Sequence, residues 1–167
     1  MTLAERCRSI DALLLDMDGV LTDGGIVFSN QGSEIKHFFV RDGSAIKAWQ
    51  KRQKQVGILS GRASDVTLQR AKDLGITTVI QDRTDKQPGF ESILDHWQLT
   101  KERIAYLGDD IPDVPILKQV GLAVAVADAC PEVLGVAHYV TRSPGGRGAV
   151  REAIELILRC QGHWSIG

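Results

Sequence analysis

Five short apolar runs, separated by segments of helical period, limit the possible folds of this chain more than any other feature. The runs cover residues 12–16, 55–59, 78–80, 104–107 and 122–126. Between and after them apolar residues recur at helical spacing. Phe90, Ile93, Leu94 and Trp97 fall at i, i+3, i+4 and i+7, and Val150, Ala153, Ile154, Ile157 and Leu158 follow the same rule. Strands that alternate with helices predict an α/β fold: a mostly parallel sheet flanked by helices. The 167 residues fit one domain, 1–167, around one core.

One stretch breaks the alternation. Residues 26–28 and 35–40 read as two strands, and Ser29-Asn30-Gln31-Gly32 reads as the turn between them. This predicts a β-hairpin, spanning about residues 24–42, inserted after the first strand. A lone hairpin is marginal in water, so its apolar faces need a partner, and a second subunit is one candidate.

Charge and composition exclude several classes. The formal net charge of −1 gives no reason to expect a nucleic-acid or membrane-surface partner. No apolar run approaches the roughly 18–20 residues that span a bilayer, and the first residues lack a separate apolar stretch with a cleavage site. Cys7, Cys130 and Cys160 are odd in number and far apart, which suits buried thiols in a reducing compartment. The expected location is the cytoplasm.

Ligands of open α/β sheets bind beyond the carboxyl ends of the strands. Four polar clusters fall at such ends. Asp16-Met17-Asp18-Gly19 follows the first run. Two carboxylates flanking one residue repel each other unless a cation sits between them. Ser60-Gly61-Arg62 follows the second run and precedes a helix, where a hydroxyl and free amides suit an anion. Lys86 opens the helix after the third run, and Gly108-Asp109-Asp110 with Asp113 follows the fourth. Together they can transfer a phosphoryl group to a carboxylate, with Lys and Ser neutralising it. An all-oxygen ligand set suits Mg²⁺ rather than Zn²⁺.

Asp16–Gly24, Leu59–Arg62, Lys86 and Gly108–Asp113 resemble, in order and spacing, the four motifs of the haloacid dehalogenase (HAD) superfamily. The resemblance implies a Rossmann-like HAD fold. The hairpin insert, Val40-Arg41-Asp42-Gly43, the Ser-Gly-Arg form of the second motif and the stretch 139–152 are similar to the capless 3-deoxy-D-manno-octulosonate 8-phosphate phosphatase family. That resemblance covers nearly the whole chain. It implies an enzyme that hydrolyses a phosphorylated sugar acid for lipopolysaccharide synthesis, with Mg²⁺ as cofactor. It also implies a homotetramer built through the hairpin, with a C-terminal segment that closes over a neighbour's site.

By the same resemblance Asp16 is the nucleophile and a metal ligand. Asp18 is the general acid/base and touches the substrate, and its backbone carbonyl also binds the metal. Asp109 is the third metal ligand, and Ser60 and Lys86 hold the phosphoryl group. Asp110 and Asp113 support the site or cap the next helix, and Thr22 needs no role beyond its turn. Phe39, Val40, Arg41, Asp42, Gly43 and Lys47 match substrate-contacting positions. The plain alternatives are surface charges at Arg41 and Lys47, and a helix cap at Asp42. Arg62, beside Ser60, suits a carboxylate because its guanidinium is a planar fork. Sialic-acid-type relatives commonly carry glutamate there, so Arg62 favours the eight-carbon acid. Arg70 is a second cation for the substrate or a solvated helix residue. Gly145-Gly146-Arg147-Gly148 is either a closure that brings Arg147 to the sugar or a plain turn. One rival reading is a nine-carbon keto sugar acid 9-phosphate phosphatase. The rival of another class is a HAD-like binding module without catalysis, whose signature would be loss of Asp16 or Asp18.

Overall fold

The structure is a computed structural model and describes residues 1–82 and 84–164. Its sheet is built from β1 (Ala12–Leu15), β4 (Gln55–Leu59), β5 (Thr78–Ile80), β6 (Ile104–Gly108), β7 (Leu122–Ala125) and β8 (Tyr139–Val140). Their order across the sheet is β5-β4-β1-β6-β7-β8, and every neighbouring pair is parallel. All four residues of β1 are fully buried, as expected of a central strand covered on both faces. The predicted strands are present within a residue at each end. β8 is an addition, too short at two residues to leave a periodic signal.

The main helices are α1 (Leu3–Arg8), α2 (Val40–Gln50), α3 (Asp65–Leu74), α4 (Gln87–Trp97) and α7 (Ala149–Cys160). Two single turns, α5 (Val114–Leu117) and α6 (Pro131–Leu134), flank β7. The periodic residues of α7 are all buried, and so are Phe90, Ile93 and Trp97 of α4. The two expected amphipathic helices therefore turn their apolar stripes to the sheet. No helix among the described residues is long and apolar enough to cross a membrane.

The hairpin is shorter than expected. Its strands are β2 (Val27–Phe28) and β3 (Glu34–Ile35), paired antiparallel with Val27 opposite Ile35. Residues 36–40 do not extend β3. Val40 instead opens α2, which buries Ala45, Ile46 and Trp49 and packs along α7. Strand propensity at His37–Val40 loses to the tertiary burial of that helix face. Ile26, Val27, Phe28 and Ile35 remain exposed.

The order of the strands places the site. The chain leaves β1 for β4 and β5 on one side, then returns to β6 on the other. The connections diverge at the carboxyl end of β1, which is where ligand crevices form in such sheets.

Candidate active site

A cleft of about 430 Å³ opens at that point, and Asp16, Asp18, Ser60, Arg62, Lys86, Asp109 and Asp113 line it. Asp16 leaves the end of β1 with its amide bonded to the Leu107 carbonyl at 3.0 Å. The loop after it closes on Thr22, whose buried Oγ1 accepts from Gly19 N and Gly24 N. Gly19 has a positive φ of 90°, and a Cβ there would sit 2.0 Å from Asp109 Oδ2. Only glycine lets the loop lie this close to the fourth motif.

Lys86 is 4% exposed, and its ammonium donates to Asp16 Oδ1 at 2.7 Å, Asp113 Oδ1 at 2.6 Å and Tyr106 Oη at 3.2 Å. The two carboxylates more than offset its burial and hold its pKa above the usual lysine value. Asp113 is the hub of the floor. It also accepts from Tyr106 Oη at 2.5 Å and from the amides of Asp109 and Asp110. Its side chain makes no capping bond to α5, but with Asp110 it closes a capping box on the 3-10 turn Ile111–Asp113 while it holds Lys86 and Tyr106. Asp110 is exposed and bonds the next amide, Ile111 N. Ser60, buried at the end of β4, donates to the Arg62 carbonyl and accepts from the Arg62 amide.

Asp16, Asp109 and Asp113 each offer a carboxylate oxygen within 4.8 Å of the others. Asp109 Oδ1 is buried with no hydrogen-bond partner. Three carboxylates against one ammonium, with one orphaned oxygen, is a set that fits a hard divalent cation. The Asp18 side chain lies outside this set, bonded to Lys36 and Arg62, which leaves its backbone carbonyl as the atom it could offer a metal.

Burial pushes the Asp16 carboxyl up to about 6, against the pull of Lys86. Burial, then Asp16 and Asp113, push Asp109 up to about 8. Raised carboxyl values mean that the fold favours the protonated groups. Their contribution to stability is full below about pH 4 and is lost as pH rises through the two folded values. A bound cation removes that loss. Excess Mg²⁺ is therefore expected to raise the melting temperature more at about pH 8 than at about pH 5. Thermal unfolding with and without Mg²⁺ checks this. An equal increment at both pH values would mean that the ion binds elsewhere.

The remaining predicted substrate residues are not brought to this cleft within one chain. Phe39, Arg41 and Arg147 line a separate hollow of about 220 Å³ at the start of α7. Lys47 lines a shallow groove beside α3, and Val40 is 77% exposed. Asp42 is buried, and its two oxygens accept from Gly148 N and Arg151 N. It caps α7 from α2, not its own helix. Arg70 stacks over the Phe38 ring, 5.1 Å from its centroid, and its guanidinium lies against Gly43. The loop before α7 does meet the loop after β1, since Gly146 N donates to Val20 O at 2.9 Å.

Comparison with known proteins narrows the chemistry. Residues 75–154 match the model of the haloacid dehalogenase-like hydrolase family. The 3-deoxy-D-manno-octulosonate 8-phosphate phosphatase of Yersinia pestis is 47% identical over 157 residues, covering 94% of this chain and 84% of that protein. This chain belongs to the 3-deoxy-D-manno-octulosonate 8-phosphate phosphatase family of the haloacid dehalogenase-like hydrolases. The enzyme of Escherichia coli K12 is 44% identical with the same coverage. The solved structure from Moraxella catarrhalis, in complex with magnesium ion, phosphate ion and KDO, superposes with a TM-score of 0.93 at 34% identity. It covers 95% of this chain and 91% of its own.

Within this phosphatase family's site, sequence reasoning missed three residues. Tyr106 sits in a strand buried on both faces, where apolar alternation gives no clue that its hydroxyl reaches Lys86 and Asp113. Glu34 and Lys36 belong to the hairpin, yet Glu34 Oε1 accepts from Arg62 at 3.0 Å and Lys36 pairs with Asp18. Their signal was available. Strand alternation across the predicted hairpin sets Glu34 and Lys36 on the side opposite Ile35, although β3 itself ends at Ile35.

Proposed function

We propose that this chain hydrolyses 3-deoxy-D-manno-octulosonate 8-phosphate to the free sugar acid and phosphate, a step of lipopolysaccharide synthesis, in the cytoplasm. The observation that carries the reading is Asp16: a buried carboxylate at the switch point, oriented by Lys86, with a second carboxyl at Asp18 on the same cleft. Family membership and the relatives named above support the substrate.

The Asp16 carboxylate attacks phosphorus as the bond to the sugar oxygen breaks, and the departing oxygen takes a proton from Asp18. Water then attacks the aspartyl phosphate, giving its proton to Asp18, and Asp16 is regenerated. Lys86 and Ser60 hold the phosphoryl oxygens, and Asp113 with Tyr106 fixes the ammonium. Asp16, Asp109 and Asp113, with the Asp18 carbonyl, would hold Mg²⁺, which when bound would supply positive charge for the phosphoryl oxygens. Arg62 faces the cleft as the cation for the substrate carboxylate. Phosphate release from the eight-carbon 8-phosphate and a nine-carbon 9-phosphate, measured side by side, tests the reading. A higher kcat/KM for the nine-carbon acid would overturn the choice of substrate.

The oligomer is part of the proposal. Ile26 is 53% and Phe28 61% exposed, on a hairpin too small to stand alone. We place these side chains in a homotetramer interface, where Phe39, Val40, Arg41, Lys47, Arg70 and Arg147 serve the substrate side of a neighbour's open cleft, with the buried Asp42 and Gly43 supporting α2 and α7 beneath them. Ile26→Lys combined with Phe28→Lys leaves Glu34 and Lys36 in place. Light scattering is expected to show the parent as a tetramer and this variant as a monomer. An unchanged tetramer would move the interface elsewhere.

A further inference from the structure

Lys36 follows β3, on a hairpin whose apolar side chains face solvent, yet its own side chain is 1% exposed. Its ammonium donates to Asp18 Oδ1 and lies 3.4 Å from Glu34 Oε1. The other Asp18 oxygen accepts from Arg62 Nη1 at 3.3 Å. Arg62 Nη2 donates to Glu34 Oε1, and the Ser64 hydroxyl donates to Glu34 Oε2. Two cations and two carboxylates thus form a closed network across the catalytic loop, the hairpin and the loop after β4. Asp18 and Arg62 line the cleft, whereas Lys36 is outside its lining.

We infer that Lys36 is a positioning residue for Asp18, so that the hairpin serves the chemistry of its own chain as well as any interface. The inference rests on Asp18 being the acid that protonates the leaving oxygen. A lysine on a surface hairpin ordinarily extends into water. Burying its ammonium is costly unless it is paired, so the Asp18 contact fixes both side chains. Arg62 holds the second oxygen from another element, and the carboxyl is restrained from two sides. A proton donor held in place gains much of its rate from that restraint. The step itself adds a second reason. As the Asp16–phosphorus bond forms and the phosphorus–oxygen bond breaks, the electron pair stays on the sugar oxygen. That oxygen takes the Asp18 proton, and the negative charge left on Asp18 faces the Lys36 ammonium.

The test compares kcat/KM for two phosphate esters without a carboxylate: glycerol 3-phosphate, whose leaving group is an alkoxide, and 4-nitrophenyl phosphate. An alkoxide needs a proton to leave, whereas nitrophenolate does not. kcat/KM covers the steps through departure of the leaving group, so it isolates the acid role. Lys36→Met is expected to lower the alkyl value about 30-fold and the aryl value less than about 3-fold, a part of the roughly 10²–10⁴-fold that general acid catalysis contributes. Equal losses, or no loss, would overturn the inference. Lys36→Gln is read by the same ratio if the Met variant does not fold. Asp18→Asn is measured alongside and is expected to show a larger selective loss. If Asp18→Asn loses both substrates equally, the acid assignment itself fails. If Asp18→Asn is selective and the Lys36 variants are not, only the role of Lys36 fails.

Discussion

Asp16→Asn is expected to lower phosphate release by at least about 10⁴-fold, or ~5.4 kcal/mol of transition-state stabilisation, and to leave the fold intact. The loss follows from chemistry, because an amide oxygen is a poor nucleophile towards phosphorus and contributes no charge to a cation. The intact fold follows from the surroundings. Lys86 keeps Asp113 and Tyr106 as partners when Asp16 becomes neutral. Three carboxylates face that single ammonium, so removing one charge relieves repulsion with Asp109. In metal-free buffer the variant should melt no lower than the parent. Added Mg²⁺ should stabilise it less, because one ligand charge is gone. Phosphate release within about tenfold of the parent would rule out covalent catalysis through Asp16. Lost activity together with a collapsed fold would show Asp16 to be structural.

The placement of Asp16, the proposed nucleophile, was legible in sequence because a strand end, a glycine turn and a carboxylate pair are all local features. The order of the sheet was not, since nothing local says that β6 lies beside β1 rather than β5. The strand limits were legible wherever a run was buried on both faces. They failed at residues 36–40, where 36–39 run irregularly and Val40 opens α2, whose Ala45, Ile46 and Trp49 are buried. Asp113 could not be assigned because one carboxylate at a helix start reads equally as a cap. In the structure it does both, closing a capping box with Asp110 and holding Lys86 and Tyr106, and the bond to Lys86 spans 27 residues that no local pattern reports. Asp42 shows the reverse case. It stands in the first turn of α2, yet its oxygens serve α7, over a hundred residues later in the chain. Long-range pairing of short motifs is what a single sequence hides, and it accounts for Lys36 and Glu34 as well.

Arg62→Glu is expected to lower kcat/KM for the eight-carbon sugar acid phosphate by at least about 100-fold, or ~2.7 kcal/mol, and for 4-nitrophenyl phosphate by less than about tenfold. Arg62 side chain is 40% exposed and lines the cleft two residues beyond Ser60, so it can face the part of a substrate that lies outside the phosphoryl pocket. A guanidinium meets a carboxylate with two parallel bonds, and reversing its charge sets like against like. The structure adds a cost that is independent of substrate. A glutamate at 62 would face Asp18 and Glu34, the two carboxylates that Arg62 now joins. The Arg62 backbone also holds the Ser60 hydroxyl, so that disturbance reaches the phosphoryl side of the cleft, and some loss is expected even for the aryl ester. Arg62→Met separates the two effects. It removes the fork and adds no negative charge, so it should keep most of the loss on the sugar acid and little of the loss on the aryl ester. The deciding quantity is the ratio of the two efficiencies across parent, Met and Glu variants. Glycerol 3-phosphate, which has an alkoxide leaving group and no carboxylate, is run alongside: if its efficiency falls as far as that of the sugar acid, Arg62 serves Asp18 and the hairpin alone, and the cation for the substrate carboxylate must come from another residue, with Arg70 and Arg147 of a neighbouring subunit as the next to test.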